Sequence, residues 1–276
     1  MSSEPLFSHE AMNTTFTLRI SGESEQQAAG VARECFEHLD YLENKLSRYR
    51  EGSDVWQINH LATGESLFLS EACYECLRLA MEANEATGGL FDVTIGGRIE
   101  FAKSASGGQA PELKGRLMLN PDKPCLHCMA AGREIDLGGI GKGFALDQMK
   151  DLLLDWGIES ALLAAGASTH LAMGPRTWPL SLSGDSQTVS FPLTNAALSA
   201  SGLAVQGSHI LAPDGSRPDY TFKRVWISLA SAALTDAWST AAMLMNPPIL
   251  RELLPPGALY MVETKDALLG NFQGLS

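Results

Sequence analysis

The chain has 276 residues, too long for a minimal module and too short for three ordinary domains. Hydrophobic residues make up 45% and charged residues 19%, the composition of a chain that buries a core rather than one that stays disordered. A net charge of −12 excludes a protein that grips nucleic acid or an anionic membrane with its general surface, and leaves room only for a local cluster of donors at an anionic ligand.

The first ten residues lack the basic start and apolar segment of a leader, and no run reaches the length of a membrane span. The expected location is cytoplasmic, or periplasmic if an upstream leader was removed. Met12–Ile20 alternates weakly and reads as a strand. Ser24 is placed to cap a long helix to about Ser47, with Ala28, Val31, Cys35, Leu39, Leu42 and Leu46 on one face. Glu37, Asp40, Glu43 and Lys45 then form a solvated face. A short helix is expected near Val55–Asn59, and another from Ser70 that ends at Thr87-Gly-Gly89. Gly96–Lys114 reads as a surface loop, and Ile135–Leu137 as a short strand before a glycine-rich turn. A helix follows from about Ile140 to Trp156. Ala161–Ala165, Leu171–Met173, Leu180–Ser183 and Ala197–Ser199 read as strands of a second sheet, Val225–Leu229 as a further strand, and Ala233–Met245 as a helix stopped by Asn246-Pro-Pro248. Strands that follow one another after Gly157 favour mixed α+β layers over a doubly wound parallel sheet. Trp156, Trp178 and Trp226 are assigned to the core, and His38, His60, His127 and His170 to surface or structural roles.

Cys73 and Cys76 form one C-x-x-C pair, Cys125 and Cys128 another, and Cys35 stands alone. Two such pairs can build a tetrahedral zinc site. The first pair lies on a helical stripe and the second enters a strand-like segment, so buried, reduced thiols are the preferred reading.

Two segments carry chemistry. Ile135-Asp-Leu-Gly-Gly-Ile-Gly-Lys-Gly-Phe144 joins a strand to an amphipathic helix. Free backbone N–H groups at a helix start, glycines that let a ligand approach, and the cation of Lys142 suit a phosphate. It is not a Walker A loop: Asp136 stands where the first glycine belongs, and Gly143 where Ser or Thr should follow Lys142. Phe144 likewise breaks a dinucleotide fingerprint begun at Gly139. Tight strand–helix packing is the alternative. In Leu234-Thr-Asp-Ala-Trp-Ser-Thr240, Asp236 and Thr240 are four apart on one helix face and offer oxygen to a hard cation such as Mg²⁺. The alternative is an ordinary cap in which Thr235 or Asp236 satisfies the helix's own free N–H groups.

Taken in order, these segments resemble the ApbE family, the FAD:protein FMN transferases. The resemblance runs through Met12-Asn-Thr-Thr15, Leu46-Ser-Arg-Tyr-Arg50 with Ser53-Asp54 and Ile58-Asn59, and Thr87-Gly-Gly-Leu-Phe-Asp92 with Thr94. It continues through Asp136–Gly143 with Asp147, Ser199–Gly202, His209-Ile210 and Thr235–Thr240. The Asp-Leu-Gly-Gly and Asp-x-x-x-Thr elements, found together and in this order, are the specific ones. The resemblance implies one T-fold-like α+β domain over residues 1–276, with two packed lobes, mixed and antiparallel sheets, and flavin in a cleft between them. It implies Mg²⁺ held by the Gly139 carbonyl, Asp236 and Thr240. It implies FAD contacts at Met12, Tyr49, Leu90, Phe91, Asp92, Asp136, Lys142, His209 and Ser239. Departures are Gly141 for the usual Ala, Ala165-Gly-Ala-Ser168 where many members carry Gly-Gly-Asn, a shortened loop from His209 to Gly215 that lacks the usual Asp, and Thr235 for Ala.

The activity so implied is transfer of FMN from FAD to a Thr or Ser hydroxyl of an acceptor flavoprotein, with release of AMP, most of the work being positioning and electrostatics. His209 is the candidate general base or hydroxyl-orienting group, and Asp236 the catalytic carboxylate through the metal. Tyr49 and Phe91 stack on a ring or belong to the core. Asp136 and Asp92 read polar groups of the ligand or anchor their own loops. The altered His209 loop and Ala165–Ser168 favour the competing readings, an FAD-binding protein without transfer or an FAD pyrophosphatase that yields FMN and AMP.

Overall fold

Leu6–Ala11 (β1) and Thr14–Ser21 (β2) form a hairpin in the computed structural model, which describes residues 4–104, 109–185, 187–203 and 210–272. The expected strand from Met12 therefore begins two residues later. Met12 and Asn13 are the turn, with φ of 50° and 58° between the paired Ala11 and Thr14. Two left-handed central residues give the turn whose twist matches that of the flanking strands. β1 was not expected, because its inward face carries His9 between Phe7 and Ala11 and so shows little apolar alternation.

Ser24 caps α1 (Glu25–Leu46) by accepting from Gln27 N–H, and all six residues of the expected stripe are buried. Ser53 caps α2 (Asp54–Ile58) in the same way, and Ser70 caps α3 (Glu71–Ala86) after the short β3 (Ser66–Phe68). The expected loop from Gly96 instead begins with α4 (Gly96–Ser104). Glycine is required at its start, since a Cβ on Gly96 would lie 2.6 Å from the Arg48 guanidinium and 2.8 Å from the Glu134 carbonyl. Gly-Gly at a helix start disguises the helix in sequence.

β4 (Arg116–Leu119) and β5 (Cys125–Ala130) complete a small antiparallel sheet in the order β3-β5-β4. Tyr74 of α3 ties the β4–β5 turn down by donating to the carbonyls of Asn120 and Pro121. Cys73 and Cys76 lie buried in α3, where burial pushes both thiols upward. Cys128 points its sulfur at the Leu61 carbonyl.

After α5 (Gly141–Asp155) come β6 (Ser160–Ala165), β7 (Thr169–Met173), β8 (Trp178–Ser183), β9 (Thr188–Leu193), β10 (Ala196–Gly202) and β11 (Arg224–Leu229). Helix α6 (Ala232–Ala242), helix α7 (Pro247–Leu253), β12 (Leu259–Glu263) and β13 (Leu268–Gly270) end the chain. Asn246-Pro-Pro248 stops one helix but also starts the next, with Asn246 accepting from Ile249 N–H.

The expected second sheet does not form from β6, β7 and β10. They join the hairpin in one eight-stranded antiparallel sheet, ordered β1-β2-β6-β7-β10-β11-β12-β13. Alternate residues serve two cores. Leu171, Ala197, Val225, Ile227 and Val262 pack with α1, α5 and α6, while Ala172, Leu198, Trp226 and Met261 pack with the separate β8–β9 hairpin through Trp178, Leu182 and Phe191. Both faces of the central strands are covered, so these strands read as near-continuous apolar runs. Trp156 corrects its core assignment: it is 51% exposed and donates its indole N–H to Glu34.

Candidate functional site

The turn before α5 is held from three sides. Asn59 reads the backbone of Ile135 in both directions, accepting its N–H at 2.6 Å and donating to its carbonyl at 3.0 Å. Asp136 N–H donates to the Val93 carbonyl, and Ile95 makes a single parallel bridge to Glu134. These contacts replace the expected Ile135–Leu137 strand: the segment is extended, but its partners are a side chain and a loop. Asp136 is buried, accepts from Gly138 N–H at 2.8 Å, and pairs with Arg48 at 3.3 Å and Lys103 at 3.7 Å.

Helix α6 decides the standing of Asp236. Its own N-terminal N–H groups are satisfied by other residues. Ser231 accepts from Leu234, and Asp147 of α5 accepts from the N–H groups of Ala232 and Ala233. The capping alternative is thereby overturned for Asp236. Its carboxylate turns away to α5, where Oδ2 accepts Gly143 N–H at 3.3 Å and lies 3.6 Å from Lys142 Nζ. Oδ1 accepts from Thr169 at 3.2 Å and Ser199 at 3.1 Å. Gly143 makes this crossing possible, since a Cβ there would meet the Ala232 carbonyl at 2.1 Å. Tight packing, the alternative reading of the glycines, is thus correct for Gly143.

Gly139 and Thr240 meet. A Cβ built on Gly139 would lie 3.2 Å from Thr240 Oγ1 and 3.0 Å from the Phe91 ring. A carboxylate, a hydroxyl and the glycine turn are thereby gathered at one helix N-terminus, packed so closely at Gly139 that an added Cβ would crowd Thr240 and Phe91. The donors are all oxygen, which fits a hard cation. Among the described residues no cluster of three or more His, Cys, Asp or Glu could hold a metal, so the protein offers only part of a coordination shell here. Gly139, Lys142 and Thr240 are partly exposed while residues 235–239 are buried, so this side of the gathering is open.

The remaining expected residues have mixed surroundings. Phe91 is buried against Gly139, and Leu90 is partly buried beside it. Asp92 anchors its own loop, accepting from the Thr94 N–H and hydroxyl and facing Arg133 at 3.7 Å. Tyr49 is 66% exposed rather than core and donates its hydroxyl to Glu100; partial burial and that carboxylate push its phenol up to about 12. Arg48 lies over the Tyr49 ring and bonds Asp136, linking Tyr49 to the turn. Ser239 is fully buried, its hydroxyl shared with those of Ser199 and Ser201. Lys142 donates to the Gly138 carbonyl at 3.2 Å. His209 lies outside the described residues.

Sequence reasoning missed Glu43, Arg48, Lys103 and Thr169. Glu43 belongs not to a solvated face but to the hairpin, accepting Met12 N–H at 2.9 Å and pairing with Arg50 at 2.6 Å. Nothing in helical periodicity marks it, because its partner is 31 residues away. Two open grooves, of about 480 Å³ between β1 and α1 and about 520 Å³ beside the C-terminal end of α5, contain none of the expected site residues.

Known proteins share this fold. A model of the ApbE family matches residues 12–259. An FAD:protein FMN transferase of Klebsiella pneumoniae (strain 342) is 24% identical over 307 residues, covering 100% of this chain and 95% of its own. The flavin transferase ApbE of Vibrio cholerae superposes with a TM-score of 0.84 at 20% identity, over 99% of this chain and 97% of the other. The apo flavinyl transferase ApbE of Pseudomonas stutzeri gives 0.82 at 21% identity, over 98% and 94%. At these identities the structural likeness speaks for the fold; the expected α+β class is the one found, and its main sheet is a large antiparallel one. Since the family's own pattern spans nearly the whole chain, from the hairpin turn to β12, the chain belongs to the ApbE family.

Proposed function

We propose that this chain is an FAD:protein FMN transferase that moves the FMN moiety of FAD onto a Thr or Ser hydroxyl of an acceptor protein, with Mg²⁺ as cofactor. Family membership supports the reaction class, and the curated relative from Klebsiella pneumoniae carries that activity in its name. The observation that carries the site is the meeting of Gly139 and Thr240 beside Asp236 at the start of α5.

Gly139, Asp236 and Thr240 would hold the ion, which supplies charge neutralisation on the pyrophosphate when bound. The N-terminus of α5, where Ile140 makes no side-chain cap and Gly143 N–H is already given to Asp236, adds the positive end of its dipole. Lys142 brings a cation to the same edge. Thr169 and Ser199 orient Asp236 through Oδ1, and Oδ2 faces Gly143 N–H and the Lys142 ammonium. The acceptor hydroxyl oxygen attacks the FMN-side phosphorus, its proton passing to a base for which His209 is the candidate. The bond from that phosphorus to the bridging oxygen breaks, and AMP leaves with the oxygen. FMN remains on the acceptor as a phosphoester.

One incubation tests this: the protein, FAD, Mg²⁺ and an acceptor domain. Flavin fluorescence that stays with the acceptor after denaturing electrophoresis, together with one AMP per flavin attached, is the expected result. Free FMN with AMP overturns transfer in favour of hydrolysis. Intact FAD retained by the protein overturns it in favour of binding alone.

A further inference from the structure

We propose that the Lys142 ammonium is a place-holding cation: it neutralises Asp236 while the metal is absent, and leaves for the incoming phosphates when a divalent ion arrives. The proposal rests on the metal reading above and goes beyond it by making metal loading and phosphate binding one coupled event.

Four observations carry it. Lys142 Nζ bridges the same two kinds of group that the ion would use, a carbonyl of the glycine turn (Gly138, 3.2 Å) and Asp236 Oδ2 (3.6 Å). Among the described residues no other cation lies within ion-pair distance of Asp236. Every contact to the Asp236 carboxylate is long, 3.1 to 3.6 Å, where settled charge-assisted bonds run to about 2.8 Å. Both oxygens are therefore contacted without being tightly bound. Finally, Lys142 is the second residue of α5, where the helix dipole disfavours a cation and favours an anion. A flexible four-carbon stem lets the ammonium swing while its Cα stays in the helix, and with 16% of the side chain exposed it already borders solvent.

A divalent ion at Asp236 would stand within a few ångströms of this ammonium and be repelled by it. Without an anion to receive the lysine, the ion binds weakly. With a pyrophosphate present, the lysine moves onto it and the repulsion is lifted. The device keeps the carboxylate compensated in the empty protein and makes the ion prefer the substrate-loaded one.

The test uses Mn²⁺ as a paramagnetic stand-in for Mg²⁺, titrated into the full chain with and without FAD, free Mn²⁺ being read by electron paramagnetic resonance. Wild type should bind Mn²⁺ weakly alone and at least about tenfold more tightly with FAD. Lys142→Met should bind Mn²⁺ about tenfold more tightly than wild type without FAD, and FAD should improve it little. Lys142→Arg, which keeps the charge, should retain the weak wild-type affinity and serves as the second variant should Lys142→Met fold poorly. Equal Mn²⁺ affinity in wild type and Lys142→Met, with FAD still promoting it, overturns the place-holder and spares the metal reading. No Mn²⁺ uptake by any of them, with FAD bound as measured by flavin fluorescence, overturns both.

Discussion

The two buried aspartates of the site, Asp136 at 7% exposure and Asp236 at 4%, are built on opposite plans. Asp136 is surrounded by cations. Arg48 and Lys103 face one oxygen, Arg48 also grips Glu134 at 2.6 Å, and the other oxygen closes a turn onto Gly138 N–H. Asp236 is surrounded by neutral hydroxyls and one backbone N–H, with a single lysine at the edge of ion-pair range. A carboxylate with two cations and a satisfied turn has its charge compensated within the protein. One held by hydroxyls that orient but do not neutralise it keeps its charge for something else. Burial alone does not set how far a carboxylate's charge is compensated; the identity of its partners does.

The largest effect expected from this contrast is on transfer. Asp236→Asn should lower the transfer rate by about a hundredfold or more, the scale of losing a preorganised electrostatic group. Asp136→Asn, which keeps the acceptor for Gly138, should cost about tenfold or less. Single-turnover flavin attachment measures both, and equal losses would break the contrast. On stability the order reverses. Arg48→Met removes the shared partner of Asp136 and Glu134 and should cost about 2 kcal/mol, read as a lower urea midpoint. Thr169→Val removes one of the hydroxyls that orient Asp236 and should cost about 1 kcal/mol, while weakening Mn²⁺ binding. A loss of stability with unchanged Mn²⁺ affinity would reduce the hydroxyl pair to packing.

The smallest effect sharpens the Asp236 side. His170, next to Thr169 on β7, has its pKa lowered by burial. A histidine whose folded pKa lies below the unfolded value of about 6.5 favours the unfolded chain once protons become available. Its neutral form therefore costs nothing above that pH. Stability is lost as pH falls through it, until the folded group itself titrates. His170→Gln should flatten the decline of the thermal midpoint below neutral pH; an unchanged slope would assign the decline to other groups.

Much of this was legible without coordinates. Ser24, Ser53 and Ser70 precede helices that they cap, and the α1 stripe is the one buried. Those are local signals, carried by residues within a turn or two of one another. The elements missed lack such signals: β1 presents a histidine to the core side, α4 opens on two glycines, and β6, β7 and β10 look like a separate sheet because register with β2 is not written in any one of them. The site divides the same way. Asp136, Gly139, Lys142, Asp236 and Thr240 stand in recognisable spacing, whereas Glu43, Arg48 and Thr169 act through partners 31, 88 and 67 residues away.

By itself, then, the sequence determined which residues form helices, which glycines crowd one turn, and which side chains carry oxygen at helical spacing, because these follow from backbone propensity and neighbours along the chain. Only the tertiary structure decided that Asp236 faces α5 rather than its own helix start. That outcome depends on Asp147 and Ser231 having already satisfied α6, and on Gly143 letting the two helices touch. Which carboxylate is left with charge to spare is set by the sum of its partners, and those are brought together only when the chain folds.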